Sequence, residues 1–333
     1  MDRRRFIQAG AGAALAQAVA RTPAAPALPL KVDVFSRHLQ WLRTADEVAE
    51  AVNEMGFNGL DITVRPYPGH VDPTRVAQDL PPFVNAIRKH GVRVTEITCP
   101  IADADSPNAE SILQTASSLG ITHYWWGTFR YSQSAPIMQQ LDDLKPRVAK
   151  LAALNAKYNM TSMYHTNEGS GAVGAAIWDL LYVLRNFDPR QVGFHYDFGH
   201  MTIGGGNGTW ALNLRAAGPY VAGVSVKDAV LEVGPAANAE GGRASGGRGG
   251  IGMPNGWRVR QVPLGEGLDN LPALAGVLTE IGFTGPLEIQ AEYPNGGAES
   301  GQDKLSLPRE QVLGALKRDL TALRAAFRPS GLL

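Results

Sequence analysis

The chain is predicted to fold as a closed (β/α)8 barrel, one α/β domain behind an export signal. Three observations predict it. Short β-rich runs alternate with longer amphipathic runs in eight strand-then-helix units between Lys31 and Phe327, the pattern of a parallel sheet. No Gly-x-Gly-x-x-Gly turn follows an early strand, which argues against a doubly wound open sheet. Polar, titratable residues recur where the strands end, and that rim is where a barrel carries its chemistry.

The units follow in order. Val32 to Phe35 reads as the first strand, and Ala45 to Met55 as its helix, with Thr44 as N-cap and Gly56 near the C-terminal end. Leu60 to Val64 is the second strand; the Pro- and Gly-rich loop Arg65 to Pro73 leads to a helix over Thr74 to His90. The strand Val92 to Thr98 pairs with the helix Asn108 to Leu119, and the strand Ile121 to Trp126 with the long helix Pro136 to Tyr158. Met160 to His165, Val192 to Asp197 and Val221 to Val226 are the fifth, sixth and seventh strands. Their helices span Ala175 to Asn186, Trp210 to Ala217 and Asn270 to Ile281. The strand Pro286 to Glu292 and the helix Arg309 to Phe327 close the barrel. Between the seventh strand and its helix, Gly234 to Gly256 is dense in Gly, Ala, Asn and Arg. It reads either as a flap over the barrel mouth or as a disordered insertion. Trp257 to Pro263 is an extended piece that returns the chain to the barrel.

Composition narrows the function classes. With 31 acidic and 31 basic residues, the chain has no electrostatic footprint for nucleic acid. One cysteine, Cys99, excludes an internal disulfide framework and a Cys-based zinc site. Arg3-Arg4-Arg5-Phe6-Ile7 precedes a small-apolar run that ends in Ala18-Val19-Ala20, the form of a twin-arginine export signal. Residues 1–29 are then signal and linker, residues 30–333 the barrel, and the mature protein is expected in the periplasm or otherwise exported. The apolar run is too short and too rich in Ala and Gly for a stable membrane span.

The strand ends supply a short list of candidates. The first strand ends at Ser36-Arg37-His38, and the second gives Asp61, Thr63 and Arg65 on one face, with His70 in the loop after it. The third offers Glu96 and Thr98. Trp125-Trp126 closes the fourth, a surface for stacking on a sugar ring or for packing. The fifth ends in His165-Thr166-Asn167-Glu168, the sixth in Asp197-Phe198-Gly199-His200, the seventh in Ser225-Val226-Lys227-Asp228 and the eighth in Glu288 through Glu292. Asp197 and His200, separated by a glycine turn, are a compact pair for metal binding or proton transfer. Two carboxylates and a histidine around a barrel axis suit Mn²⁺, Mg²⁺, Co²⁺ or Zn²⁺. Glu288 and Gln290, deeper on the face of Glu292, read as polar barrel filling.

Tyr196-Asp197-Phe198-Gly199-His200 resembles the Asp-x-Gly-His segment of the xylose-isomerase-like barrel superfamily of sugar phosphate isomerases and epimerases. Val224-Ser225-Val226-Lys227-Asp228 resembles its seventh-strand His-Val-Lys-Asp, and Pro263-Leu264-Gly265-Glu266-Gly267 with Glu292 its Gly-x-Gly stretch and last-strand glutamate. Leu60 to Pro66 with Gly69-His70 is similar to an exported subgroup. The resemblance implies a divalent metal on His165, Asp197 and Glu292, with Ser225 standing where relatives supply histidine, so that the ion is weakly held or replaced by Lys227. Together with the strand-end positions, this gives Glu292, Lys227 and His200 as the expected catalytic groups, and His38, Arg65, His70 and Trp126 as the expected contacts to a carbohydrate. The expected activity is removal of a proton α to a sugar carbonyl, giving isomerisation or epimerisation. A lyase or hydratase acting on 3-keto-glycosides is the alternative, and a non-catalytic carbohydrate-binding barrel a second; a homo-oligomer is compatible with all three.

Overall fold

The computed structural model describes residues 29–169, 171–205, 208–233 and 257–333. The expected export signal and the Gly-rich stretch Gly234 to Gly256 lie outside the described residues, apart from Pro29. The first half of the barrel runs β1 (Val32–Phe35), α1 (Ala45–Met55), β2 (Gly59–Thr63), α2 (Val76–Lys89), β3 (Arg93–Thr98), α3 (Ala109–Ser118), β4 (His123–Trp126) and α4 (Ile137–Tyr158). The second half runs β5 (Thr161–His165), α5 (Trp178–Leu184), β6 (Val192–Asp197), α6 (Phe198–Gly205), α7 (Trp210–Ala217), β7 (Val221–Val226), β8 (Asp228–Val233), β9 (Trp257–Val262), α8 (Leu271–Glu280), β10 (Leu287–Ile289) and α9 (Arg309–Phe327).

Eight parallel strands close in the order β1-β10-β7-β6-β5-β4-β3-β2, so the predicted fold is the one found. Local chemistry sets the element ends. Thr44 and Glu47 form a reciprocal capping box at the start of α1, and Gly56 ends it in the left-handed region at φ 89°, the conformation glycine adopts without strain. Leu30 N–H donates to the Leu332 carbonyl at 2.6 Å, tying the start of the barrel to its last turn.

Along the strands, apolar residues such as Val34, Ile62, Ile97, Tyr164 and Val224 join the hydrophobic core under the helices. The alternate positions point into the barrel, and there the chain is polar: Asp33, Asp61, Glu96, His165, His195, Asp197, Ser225 and Glu288 are all buried. This lining is unusual for a barrel interior, where branched apolar residues dominate.

Three local departures from the sequence reading bear on the site. The last strand is shorter than expected and stops at Ile289, which leaves Glu292 on the loop beyond it. A short helix, α6, starts immediately after β6, where a loop was expected. The extended piece at Trp257–Val262 does not run alone: it pairs antiparallel with Asp228–Val233 as a two-stranded ribbon. That ribbon is clamped at its base. Asp228 accepts the backbone N–H groups of Gly265 and Gly267 at 2.9 Å each and of Asp269 at 3.1 Å. A Cβ on Gly267 would lie 2.1 Å from Asp228 Oδ1. The Lys-Asp and Gly-x-Gly segments are therefore two halves of one turn-holding contact.

Candidate active site at the barrel mouth

β6 delivers Asp197 to the barrel mouth, where its two oxygens divide the work. Oδ1 accepts the His200 N–H at 2.9 Å, the side-chain cap of helix α6. Oδ2 faces inward, 2.9 Å from Lys227 Nζ, 3.3 Å from His165 Nε2 and 3.4 Å from His200 Nδ1. Lys227 follows β7 by one residue and is 1% exposed. Its stem passes directly over Gly199, where a Cβ would sit 2.5 Å from Lys227 Cγ. Only glycine leaves that passage open.

The Lys227 ammonium also lies 3.1 Å from Glu292 Oε1 and 3.0 Å from His200 Nε2. His200 Nδ1–H donates to the Thr166 carbonyl at 2.9 Å, and its Nε2 lies 2.8 Å from Glu168 Oε2. The carboxylates hold both cations charged, although Lys227 and His200 repel each other. Burial disfavours a charge on Lys227, but Asp197, Glu292 and Glu168 outweigh it and raise its pKa. His200 is likewise desolvated, yet Asp197 and Glu168 carry it up to about 9. Burial would raise Glu292, but Lys227 and His200 bring it down to about 2. At neutral pH the mouth thus holds two cations among three carboxylates. Glu292 keeps a side-chain exposure of 31%, the face open to a bound molecule.

The other predicted residues divide sharply. His38 is buried; its Nδ1–H donates to the Ala298 carbonyl at 3.3 Å, and its Nε2 has no partner among the described residues. Burial first, then Arg37, lowers its pKa to about 4, so Nε2 is a bare acceptor. Arg65 lies over the face of Trp125 at 4.8 Å and of Phe35 at 5.9 Å, held by rings rather than by a carboxylate among the described residues.

Two expected substrate contacts are corrected. Trp126 is fully buried, edge-on to Phe129 and Tyr164, with its indole N–H donated to the Ala102 carbonyl at 2.8 Å. It packs under the helices. Its neighbour Trp125 faces inward and meets the His165 ring at 5.4 Å; period-two alternation from His123 was the signal that separates them. His70 has both ring nitrogens in use, Nδ1 with Thr63 Oγ1 at 3.0 Å and Nε2 with the Leu39 carbonyl at 3.3 Å. It braces the second strand's loop and has no nitrogen left for a ligand. Glu168, not assigned from sequence, joins the site through His200.

The donor set for a metal also shifts. The ligand atoms of His165, Asp197 and His200 lie within 4.8 Å of one another, and the buried Asp197 Oδ2 has no aligned hydrogen bond. Two imidazoles and a carboxylate oxygen with a spare lone pair suit a small divalent ion once His200 gives up one of the two protons it carries in the ion-free protein. Glu292 stands outside this group, engaged by Lys227. Ser225 Oγ is buried and unpartnered among the described residues, on the strand position paired with Asp197 and Glu288.

A family model for the xylose isomerase-like TIM barrel matches residues 49–314. No curated protein matches the chain by sequence. Solved structures share the fold at low identity. The IOLI protein with a zinc atom aligns over 90% of this chain and 99% of its own, at 14% identity and a TM-score of 0.64. An L-ribulose 3-epimerase aligns over 90% and 95%, at 15% identity and TM-score 0.60. The 3-keto-D-glucoside 4-epimerase YcjR from E. coli, in its apo form, aligns over 89% and 99%, at 16% identity and TM-score 0.56.

Proposed function

The chain belongs to the xylose isomerase-like TIM-barrel family, and from that premise we propose that it is an exported sugar isomerase or epimerase acting on a keto sugar. The observation that carries the reading is the contact of the buried Lys227 ammonium with Asp197 at 2.9 Å and Glu292 at 3.1 Å at the barrel mouth. Taking a proton from the carbon α to a carbonyl needs a base beside the carbon and positive charge beside the oxygen. Glu292 is the base: it is ionised, partly open, and held in place by Lys227. Lys227 and the charged His200 face the developing enediolate oxygens, with Glu168 orienting His200. Return of the proton to the same or the neighbouring carbon gives the epimer or isomer. His38 Nε2 accepts from a sugar hydroxyl, Arg65 donates to a sugar oxygen, and Trp125 lines the wall beside them. A divalent ion would be held by His165, Asp197 and a deprotonated His200, so the ion would take the place of the imidazolium's charge and supply Lewis-acid polarisation of the carbonyl. Export follows from Arg3-Arg4-Arg5 and the small-apolar run behind it; substituting the arginine run by lysines should retain the protein in the cytoplasm.

The test is product analysis with ketoses and 3-keto-glycosides as a panel. An epimer or isomer of unchanged mass supports the proposal. Release of an aglycone or second sugar would assign a lyase instead, and thermal stabilisation without any product would assign a binding protein.

A further inference from the structure

Across the mouth from Lys227 stands a cation of a different kind. Among the described residues, the Arg65 guanidinium makes neither a hydrogen bond nor an ion pair. It is half-buried and lies over the rings of Trp125, at 4.8 Å, and Phe35, at 5.9 Å. Phe35 ends β1 and Trp125 belongs to β4, so a side chain rising after β2 and touching both must reach inward over the barrel opening. The buried donors that lack a partner include Arg93 Nε but no nitrogen of Arg65. Its N–H groups are therefore unengaged and accessible from the mouth.

The backbone beneath this side chain is fixed. Val64 N–H donates to the Thr98 carbonyl at 2.8 Å, and Gly69 N–H donates to the Pro66 carbonyl at 2.9 Å. A Cβ on Gly69 would lie 2.3 Å from the Arg65 carbonyl oxygen, so glycine is what lets the turn close against Arg65. His70 braces the same loop through Thr63 and Leu39. With the turn closed below and two rings beside it, the guanidinium is held in place before any ligand arrives.

The surroundings leave its charge uncompensated. Burial, and then the neighbouring Arg37, lower its pKa, yet a guanidinium stays protonated in a protein. Asp61 shares its face of β2, but burial pushes that carboxyl up to about 7 and Thr98 Oγ1 donates to it. A desolvated cation without a partner is unfavourable, and an anion placed against it would relieve that cost. Trp125 and Phe35 crowd the guanidinium, which favours a flat group meeting its fork edge-on. A carboxylate has that shape, with two coplanar oxygens matched to two parallel N–H donors.

We propose that Arg65 determines specificity by receiving a carboxylate of the substrate, so that the molecule taken at this mouth is a keto-sugar acid rather than a neutral keto sugar. The inference deepens the proposed function and rests on it for the keto-sugar part. The rim supports one continuous pose. β2, β1 and β10 are neighbours in the barrel, so Arg65, His38 and Glu292 follow one another around the opening. A molecule lying along that arc gives its carboxylate to Arg65, a hydroxyl to His38 Nε2 and its α carbon to Glu292. The arc also keeps the substrate's negative group away from the ionised Glu292.

Calorimetry on the full chain at low salt tests this with three probes that differ at C6: D-fructose, D-fructuronate and D-fructose 6-phosphate. Fructuronate should bind at least ~10-fold tighter than fructose, the scale of hydrogen bonds to a charged group. Arg65→Met should abolish that gap, and Arg65→Lys, which keeps the charge but not the fork, should lose most of it. Equal affinities for fructuronate and fructose, or a preference that survives in Arg65→Met, would overturn the proposal. Tighter binding of the 6-phosphate than of fructuronate would overturn the assignment to a carboxylate, and binding of none of the three would overturn the proposal as a whole. If Arg65→Met fails to fold, the wild-type preference and Arg65→Lys decide. Turnover of a keto sugar with no preference for the acid would sink this inference and leave the isomerase reading standing. Arg65-dependent binding of fructuronate with no product from any sugar would do the reverse.

Discussion

Lys227 touches Asp197, Glu292 and His200 at once, so its removal should do two kinds of damage. Lys227→Met leaves the buried Asp197 without its nearest cation, at 2.9 Å, with His200 still beside it. Breaking a buried pair from one side costs about 3–5 kcal/mol, so the thermal midpoint should fall clearly along with activity. Glu292→Gln should separate the two effects. Its side chain is 31% exposed, so the fold should survive nearly intact while turnover falls at least ~100-fold, the scale of a lost catalytic base. Equal stability losses in the two variants would contradict the distinction. The aromatic pair offers a second contrast. Trp126→Ala should cost about 3–5 kcal/mol through the core and Trp125→Phe should act on KM with little change in stability, read by kinetics beside thermal melts. Sequence placed Asp197, Lys227, Glu292 and His200 at the mouth because strand ends are readable from periodicity. The alternation from His123 that separates Trp125 from Trp126 was readable but was not applied to the pair, and nothing in the sequence shows that His70 spends both nitrogens on Thr63 and Leu39.

At the scale of elements, the eight strands and their helices were legible because strand and helix periods differ and glycines punctuate them. Helix α6 was not. Phe198-Gly199-His200 holds a glycine that lowers helix propensity, and the cap that starts the helix is Asp197, whose carboxylate looked committed to chemistry. The β8–β9 ribbon escaped because its pairing depends on residues separated by the Gly-rich stretch. The glycine of α6 makes a sharp prediction. In an exposed helix Gly→Ala stabilises by about 1 kcal/mol, but at Gly199 the new Cβ would stand 2.5 Å from Lys227 Cγ. Gly199→Ala should therefore destabilise the protein and displace the Lys227 ammonium, with loss of activity. A raised melting temperature with full activity would show that the stem of Lys227 can move aside freely.

Over the whole molecule, the polar barrel interior sets the response to pH. Burial, opposed by Thr98 and Arg65 and aided by Asp33, pushes Asp61 up to about 7. An acid whose folded pKa is raised lends stability that is fully present below its unfolded value, near 3.8, and is lost as pH rises through the folded value. Wild type should thus lose stability relative to Asp61→Asn between about pH 4 and 7, and the difference should level off above that window. Denaturant melts across pH check it; a difference flat over the window would refute the burial of an un-ionised Asp61. The interior acids also explain why sequence classed Glu288 as filling: its partners, His195 and the neighbouring carboxyls, come from strands distant in the chain.

The central claim is that Glu292 exchanges the proton α to a sugar carbonyl while Lys227 stabilises the charge that develops beside it, and solvent exchange in D₂O tests it most directly. Incubated with the keto sugar it converts, the wild-type protein should place deuterium on the carbon beside the carbonyl. In Glu292→Gln and Lys227→Met that incorporation should slow by at least ~100-fold. Incorporation at the wild-type rate in both variants, or turnover of the sugar with no deuterium at that carbon, would contradict the account.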